Sequence, residues 1–153
     1  MPEYSDIYVI SDKRDEKTVE DFLNCFLPDR EESADEYEIP QFSESPDVVY
    51  SKALELVKYC SANQRAEYAA YWRAVNQGKP EHAMVFYLKD GHVIYGLSTD
   101  AGDEAFANGL LAELKAFLGA EFGYIGHEAS PDAADLPEFM REMENHQRCN
   151  VGG

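Results

Sequence analysis

The sequence predicts an α+β domain, a two-layer sandwich in which a mainly antiparallel sheet carries helices packed mainly on one face. Three observations predict this class. Residues 81–99 hold two alternating apolar runs on either side of Asp90-Gly91, which is the pattern of a β-hairpin. Residues 67–73 alternate in the same way just before it. The segments around these strands place apolar residues at helical spacing, most clearly in residues 103–118.

The hairpin is predicted to form the centre of the sheet. Asp-Gly favours a two-residue type I′ turn, which would pair Leu88 with Val93. In that register one face is a core face and the other points outward. The core face would carry Met84, Phe86, Leu88, Val93, Tyr95 and Leu97, and the outward face Val85, Tyr87 and Ile94. A slip of one residue would turn the apolar set toward water, so the register is expected to be firmly set.

The chain before residue 67 is predicted to contain two strands and two helices. Its first strand is apolar at successive positions, as in a strand that is covered on both sides. Each helix repeats apolar residues every three or four positions, and Pro28 ends the first. The predicted bounds are a strand at 6–11, a helix from an N-cap at Thr18 to Leu27, an edge strand at 37–39 and a helix that begins after Asp47 and ends near Asn63.

Residues 67–73 permit two interpretations. Their alanines would allow the preceding helix to continue. The alternation that places Tyr68, Ala70 and Trp72 on one face favours a strand, and a strand is predicted. Together with the hairpin it would make a three-stranded antiparallel meander.

The chain after the hairpin is predicted to alternate helix, strand and helix. Acidic residues begin the helix at 103–118, where they suit the positive end of its dipole, and Gly119 ends it. A strand at 121–126 and a short helix from Asp135 follow. No linker or repeat interrupts residues 1–153, so one domain is predicted, with an ordered core at 6–143 and a polar, mobile tail at 145–153.

The composition favours some partners and excludes others. The net charge is −17, with 30 acidic and 13 basic residues, whereas nucleic acids and anionic membranes require basic surfaces. No nucleic acid and no membrane is therefore expected as a partner. A basic protein is favoured, because the field of the whole molecule would attract it. The alternative, that acidity serves only solubility, stays open.

The cysteines and the termini predict a reduced, cytoplasmic protein. Three cysteines without regular spacing do not form a disulfide framework, and none is paired at zinc-binding spacing. The first residues lack the basic and apolar regions of a signal peptide, and no run reaches the roughly 18 apolar residues of a membrane span. No metal and no cofactor is predicted.

Two surfaces are candidates for partner binding. Residues 29–47 hold eight acidic residues against one base, Arg30. Within this acidic segment the predicted contacts are Glu31, Glu32, Asp35 and Glu36. The second candidate is the outward face of the meander, with Tyr71, Tyr87 and Ile94. Either a helix covers that face, or it forms an aromatic patch for a protein or for a second copy in a homodimer.

One group of residues could belong to a chemical site. His82 and Thr99 would lie opposite each other at the open end of the hairpin, next to Asp100. They could act as acid, base and nucleophile on a small molecule. No nucleophile elbow or fixed motif spacing accompanies them, so a histidine with structural partners is favoured and no enzyme is predicted.

The chain resembles the immunity proteins of bacterial polymorphic toxin systems, including contact-dependent growth inhibition. Glu-Tyr-Ala-Ala-Tyr-Trp at 67–72 and the hairpin arm at 90–100 are the strings most similar to them. The resemblance concerns the architecture of residues 6–143 and assigns no role to a single residue. It implies tight binding to a toxin domain, often a basic nuclease, through an acidic surface that covers the active site. Binding to a small molecule and a purely structural homodimer stay as alternatives.

Overall fold

Eight strands and four helices form the part of the chain that the structure describes. The computed structural model describes residues 3–75, 78–127, 130–131 and 133–151, the last four by their backbone only. In chain order the elements are β1 (Tyr4–Ser11), α1 (Glu16–Phe26), β2 (Arg30–Glu32), β3 (Tyr37–Ile39), β4 (Val48–Tyr50), α2 (Ala53–Ala62), β5 (Tyr68–Ala74), β6 (His82–Tyr87), β7 (Val93–Asp100), α3 (Glu104–Leu118), β8 (Gly123–Gly126) and α4 (Leu136–Val151).

Six of these strands build one sheet. Their order is β2-β5-β6-β7-β1-β8, and every neighbouring pair is antiparallel. The meander β5-β6-β7 lies in its middle, as predicted. β3 and β4 form a separate two-stranded ribbon. The predicted α+β class is confirmed. Every helix within the described residues is too short or too polar to cross a membrane.

Different helices cover the two faces of the sheet. The three-helix face packs against α1, α2 and α3, and its strand residues are Ile7, Val9, Tyr68, Ala70, Trp72, Ala83, Val85, Tyr87, Val93, Tyr95 and Leu97. The α4 face packs against α4 and carries Tyr8, Ile10, Met84, Phe86, Leu88, Ile94 and Tyr124. β1 is therefore covered on both sides, as its run of apolar residues predicts.

The predicted register of the central hairpin is wrong by one residue. Tyr87, not Leu88, pairs with Val93. The loop has three residues, because the Leu88 N–H donates to the His92 carbonyl at 3.0 Å and the Gly91 N–H to the Leu88 carbonyl at 3.2 Å. Gly91 has a φ of 92°, the positive value that a glycine supplies at the end of such a turn.

The slip exchanges the faces of the β6 residues, whereas Val93, Tyr95 and Leu97 in β7 keep the predicted core face. Val85 and Tyr87 belong to the three-helix face, and Met84 and Phe86 to the α4 face. Because both faces are apolar and covered, the shift buries no charged side chain. The alternating pattern was therefore compatible with either register.

Asp90 links the hairpin turn to the last helix. One carboxylate oxygen accepts the His92 N–H at 3.0 Å, and the other accepts the Leu136 N–H at 2.8 Å, at the first residue of α4. Burial alone would raise the pKa of Asp90, but these two hydrogen bonds and the His92 imidazole outweigh it, and the pKa is lowered. The turn thus supplies an acceptor to the helix N-terminus.

A buried arginine joins three parts of the fold. Arg14, in the loop after β1, is 3% exposed. Its guanidinium donates to the carbonyls of Cys60 at 2.9 Å, Leu88 at 3.0 Å, Asn63 at 3.0 Å and Ala66 at 2.7 Å. Its central carbon, Cζ, also lies 5.0 Å from the centre of the buried ring of Tyr87 in β6. Burial lowers the pKa of this guanidinium. One side chain therefore holds the end of α2 against the central hairpin.

The predicted helices are confirmed with shifted ends. Asp15, not Thr18, is the N-cap of α1, and its carboxylate accepts the Thr18 N–H at 3.0 Å. Val49 lies in β4 and is exposed, so α2 begins only at Ala53. A strand formed there because two β-branched valines precede a tyrosine.

The predicted helix end in the last segment is wrong. α4 continues through the polar residues after Asn145 and reaches Val151. The end of the predicted tail, 152–153, lies outside the described residues. β5 and α3 agree with their predictions, and Gly119 ends α3 in the left-handed conformation, with a φ of 61°.

The variant Gly91→Val should be less stable than the wild type. A β-branched residue is strained at a φ of 92°, and we expect a loss of about 1–3 kcal/mol in the free energy of unfolding. Urea denaturation followed by circular dichroism measures this loss.

The control for this variant is Gly109→Ala, in the exposed middle of α3, where an added Cβ meets no atom within 4 Å. It should stabilise the protein by about 0.5–1 kcal/mol. An unchanged midpoint for Gly91→Val would contradict the three-residue turn.

The variant Arg14→Met should be strongly destabilised. The buried carbonyls of Cys60 and Leu88 would lose their donor, at about 1–3 kcal/mol each. We therefore expect a total loss of about 3 kcal/mol or more in urea denaturation. Arg14→Lys should recover less than half of this loss, because an ammonium cannot reach carbonyls on three sides. Full recovery by lysine would show that only the charge matters.

Candidate protein-binding surface

The acidic segment, residues 29–47, contains β2, which belongs to the main sheet, and β3, which belongs to the two-stranded ribbon. β2 pairs with the end of β5, and β3 then pairs with β4. Seven of its eight acidic residues are exposed, and Glu38 is half-buried. The acidic segment therefore presents a carboxylate surface on a frame of regular structure.

Glu32 has a structural role that the sequence did not indicate. One of its carboxylate oxygens accepts the Tyr37 hydroxyl at 2.9 Å and the Ala53 N–H at 2.8 Å. Lys52, the N-cap residue of α2, makes no capping bond with its own side chain, so Glu32 supplies the acceptor. Burial, reinforced by Glu32, raises the pKa of Tyr37. Glu32 thus holds β2, β3 and α2 together.

The other three predicted contacts are surface groups. Glu31 forms an ion pair with Arg73 in β5, and both side chains are about half exposed, so the pair contributes little to stability. Asp35 and Glu36 are exposed and make no hydrogen bond or ion pair with any described residue. Their charges are available to a partner.

An acidic groove lies beside the acidic segment, between α1, α2 and β2. Its volume is about 260 Å³. Its floor is apolar, and the charged residues of its lining are three acids, Glu20, Glu31 and Glu32, and one base, Arg30. The floor is formed by Val19, Leu23, Ala53, Leu54, Val57 and Trp72. A lysine or arginine side chain matches this combination, because it carries a charged tip on an apolar stem.

The predicted aromatic face is not a continuous patch. Tyr71 is 39% exposed, but Tyr87 is 2% and Ile94 is 0% exposed. The corrected register places Tyr87 on the three-helix face and Ile94 on the α4 face, so the prediction that they bind a partner is wrong. Only Tyr71 stays accessible. Its ring meets the ring of Phe86 edge-on at 5.8 Å.

The predicted chemical group at the end of the hairpin does not come together. His82 pairs with Ser98, and its ring contacts that of Tyr4 at 5.5 Å. Thr99 pairs with Ser5, is fully buried and belongs to the opposite face of β7. Asp100 accepts the Gly102 N–H at 2.8 Å in the turn before α3. The one-residue slip separates the histidine from the threonine.

No set of three or more His, Cys, Asp or Glu side chains within the described ranges is placed to hold a metal ion. The acidic surface also contains one residue that the sequence pattern did not indicate. Phe42 lies inside the acidic segment and is 86% exposed. Its segment lacks any periodicity, so no pattern in the sequence pointed to it.

Comparison of the chain with protein-family models, with curated proteins and with solved structures finds no match. Its function is therefore inferred from the chemistry of its surface.

The variants Glu32→Ala and Glu36→Ala should differ in stability, because Glu32 has structural partners and Glu36 is a surface residue. Glu32→Ala removes a helix cap and the partner of Tyr37, and we expect a loss of about 1–2 kcal/mol in the free energy of unfolding. Glu36→Ala should stay within about 0.5 kcal/mol of the wild type. Equal effects of the two variants in urea denaturation would contradict this division.

Proposed function

We propose that this chain binds a basic protein and neutralises or regulates it through the acidic surface. The observation that carries the proposal is the set of exposed carboxylates on the acidic segment, among them Asp35 and Glu36, which have no partner among the described residues, within a chain of net charge −17. The resemblance to immunity proteins gives the partner a class, namely a toxin domain such as a basic nuclease.

The frame beneath the charges supports this proposal. Charges that steer association act best when their positions are fixed relative to the binding surface. Glu32 anchors the acidic segment to α2, and the Ser33 N–H donates to the Tyr71 carbonyl at 3.1 Å, which continues the pairing of β2 with β5. The segment is therefore held to the fold by bonds that do not use Asp35 or Glu36.

The acidic groove supports a basic partner in particular. Solubility alone would require only dispersed surface charge, whereas the groove combines an apolar floor with a net negative charge, from three carboxylates and the one guanidinium of Arg30. A lysine or arginine of the partner would place its stem on Leu23 and Leu54 and its charge among the carboxylates. Specific binding of this kind distinguishes a contact surface from a solubility device.

The charge prediction concerns the rate of association. The variant Asp35→Asn/Glu36→Gln/Glu44→Gln should associate about 3–30-fold more slowly at low salt, because exposed charges act mainly through long-range attraction. Its association rate should also depend less on salt than that of the wild type. Surface plasmon resonance at 50 and 500 mM salt, with the purified product of the adjacent gene as ligand, measures both.

The matched control removes the same charge elsewhere. Glu113→Gln/Glu121→Gln/Glu144→Gln changes exposed acids on α3, before β8 and on α4. This variant should keep most of the wild-type rate. If the two triple variants slow association equally, only the net charge matters. If neither does, the acidic segment does not contact the partner.

A further inference from the structure

Phe42 is unusual in both its exposure and its backbone. Its side chain is 86% exposed, the highest value among the exposed large apolar residues of the described chain. It also has a φ of 67°, and no other non-glycine residue in the described ranges has a positive φ. A bulky residue in this conformation is strained, and such strain persists only where the surroundings impose it.

The surrounding turn holds Phe42 without using its ring. The Phe42 N–H donates to a carboxylate oxygen of Glu38 at 2.9 Å. The Gln41 amide donates to the Ala69 carbonyl at 3.0 Å and accepts the Ala69 N–H at 2.9 Å. The Ser43 N–H donates to the Pro40 carbonyl at 3.2 Å. The fold thus fixes the main chain at Phe42, while the phenyl ring adds little packing.

Phe42 lines a groove with a volume of about 510 Å³. Its apolar lining includes Ala69 and Phe86 from neighbouring strands and Pro131 and Ala133 from the segment before α4. Arg65 and Glu67 are the charged residues of the lining. Tyr71, the remaining exposed residue of the predicted aromatic face, lies against Phe86. Phe42 therefore joins an apolar surface, the aromatic edge, that borders the acidic segment.

We propose that Phe42 is the aromatic anchor with which this protein holds its basic partner, and that the groove beside it receives an apolar side chain of that partner. This inference rests on the proposed function. It is supported by the position of Phe42 within the acidic segment, between Glu38 and Glu44, because a partner bound to those acids would also contact the phenyl ring. Aromatic residues inside a charged rim are the usual centres of binding energy in protein interfaces.

The two parts of the surface then have different kinetic roles. Rim charges set the association rate, whereas buried anchors set the dissociation rate. Phe42→Asn should therefore raise the dissociation rate at least about tenfold and leave the association rate within about twofold of the wild type. The triple acid variant should show the opposite division.

The first test needs no partner. Asparagine tolerates positive φ, so Phe42→Asn should raise the urea midpoint, while the matched control Phe122→Asn, at a partly exposed phenylalanine before β8, should not. A lower midpoint for Phe42→Asn would mean that the ring stabilises the fold, and would overturn the proposal.

The second test measures binding of wild type, Phe42→Asn and the control Phe122→Asn to the purified product of the adjacent gene by surface plasmon resonance. A higher dissociation rate for Phe42→Asn alone supports the anchor. An unchanged rate overturns the anchor and leaves the proposed function intact, whereas no binding by the wild type overturns both. Sedimentation velocity tests whether a second copy of this chain occupies the groove instead. A wild-type dimer that Phe42→Asn converts to monomer would assign the residue to self-association and overturn the proposal.

Discussion

The Arg14 guanidinium is the interaction on which the arrangement of the layers depends. It is buried, and each of its hydrogen bonds goes to a main-chain carbonyl. The carbonyls at the end of α2 carry the negative end of the helix dipole, so they partly balance its charge. Because Leu88 is also an acceptor, α2 and the central hairpin share one donor. The position of the chain between α2 and β5 is fixed by the same group, through Asn63 and Ala66.

The class of the fold and most of its elements could be predicted from the sequence, but the register of its central hairpin could not. Alternation decides a register when one face is polar, and here both faces are apolar and covered. The Asp-Gly pair fits a two-residue turn and also a three-residue turn with glycine last. In the observed turn Asp90 also accepts a hydrogen bond from the first residue of α4, a contact distant in sequence that no local pattern contains.

The negative charge of the candidate site could be predicted from the sequence, but the roles of its individual residues could not. Composition alone identified the acidic segment, because eight acidic residues among 19 can be recognised without knowledge of the tertiary structure. It could not separate Glu32, which caps a helix, from Glu36, which faces solvent, because that difference depends on where α2 begins. The exposure of Phe42 was not predicted for a similar reason, because the neighbouring Gln41 is held by hydrogen bonds to Ala69, which lies 28 positions away in the sequence.

The amide of Gln41 has a consequence for the behaviour of the protein at high concentration. An open strand edge can pair with another molecule and begin aggregation. Beyond the three residues of β2, the outer edge of β5 is closed by the Ser33 N–H at Tyr71 and by the Gln41 side chain at Ala69. A side chain here completes the ladder in place of a longer strand. The chain can therefore display aromatic rings next to a sheet margin without offering that margin as a template for intermolecular β-structure.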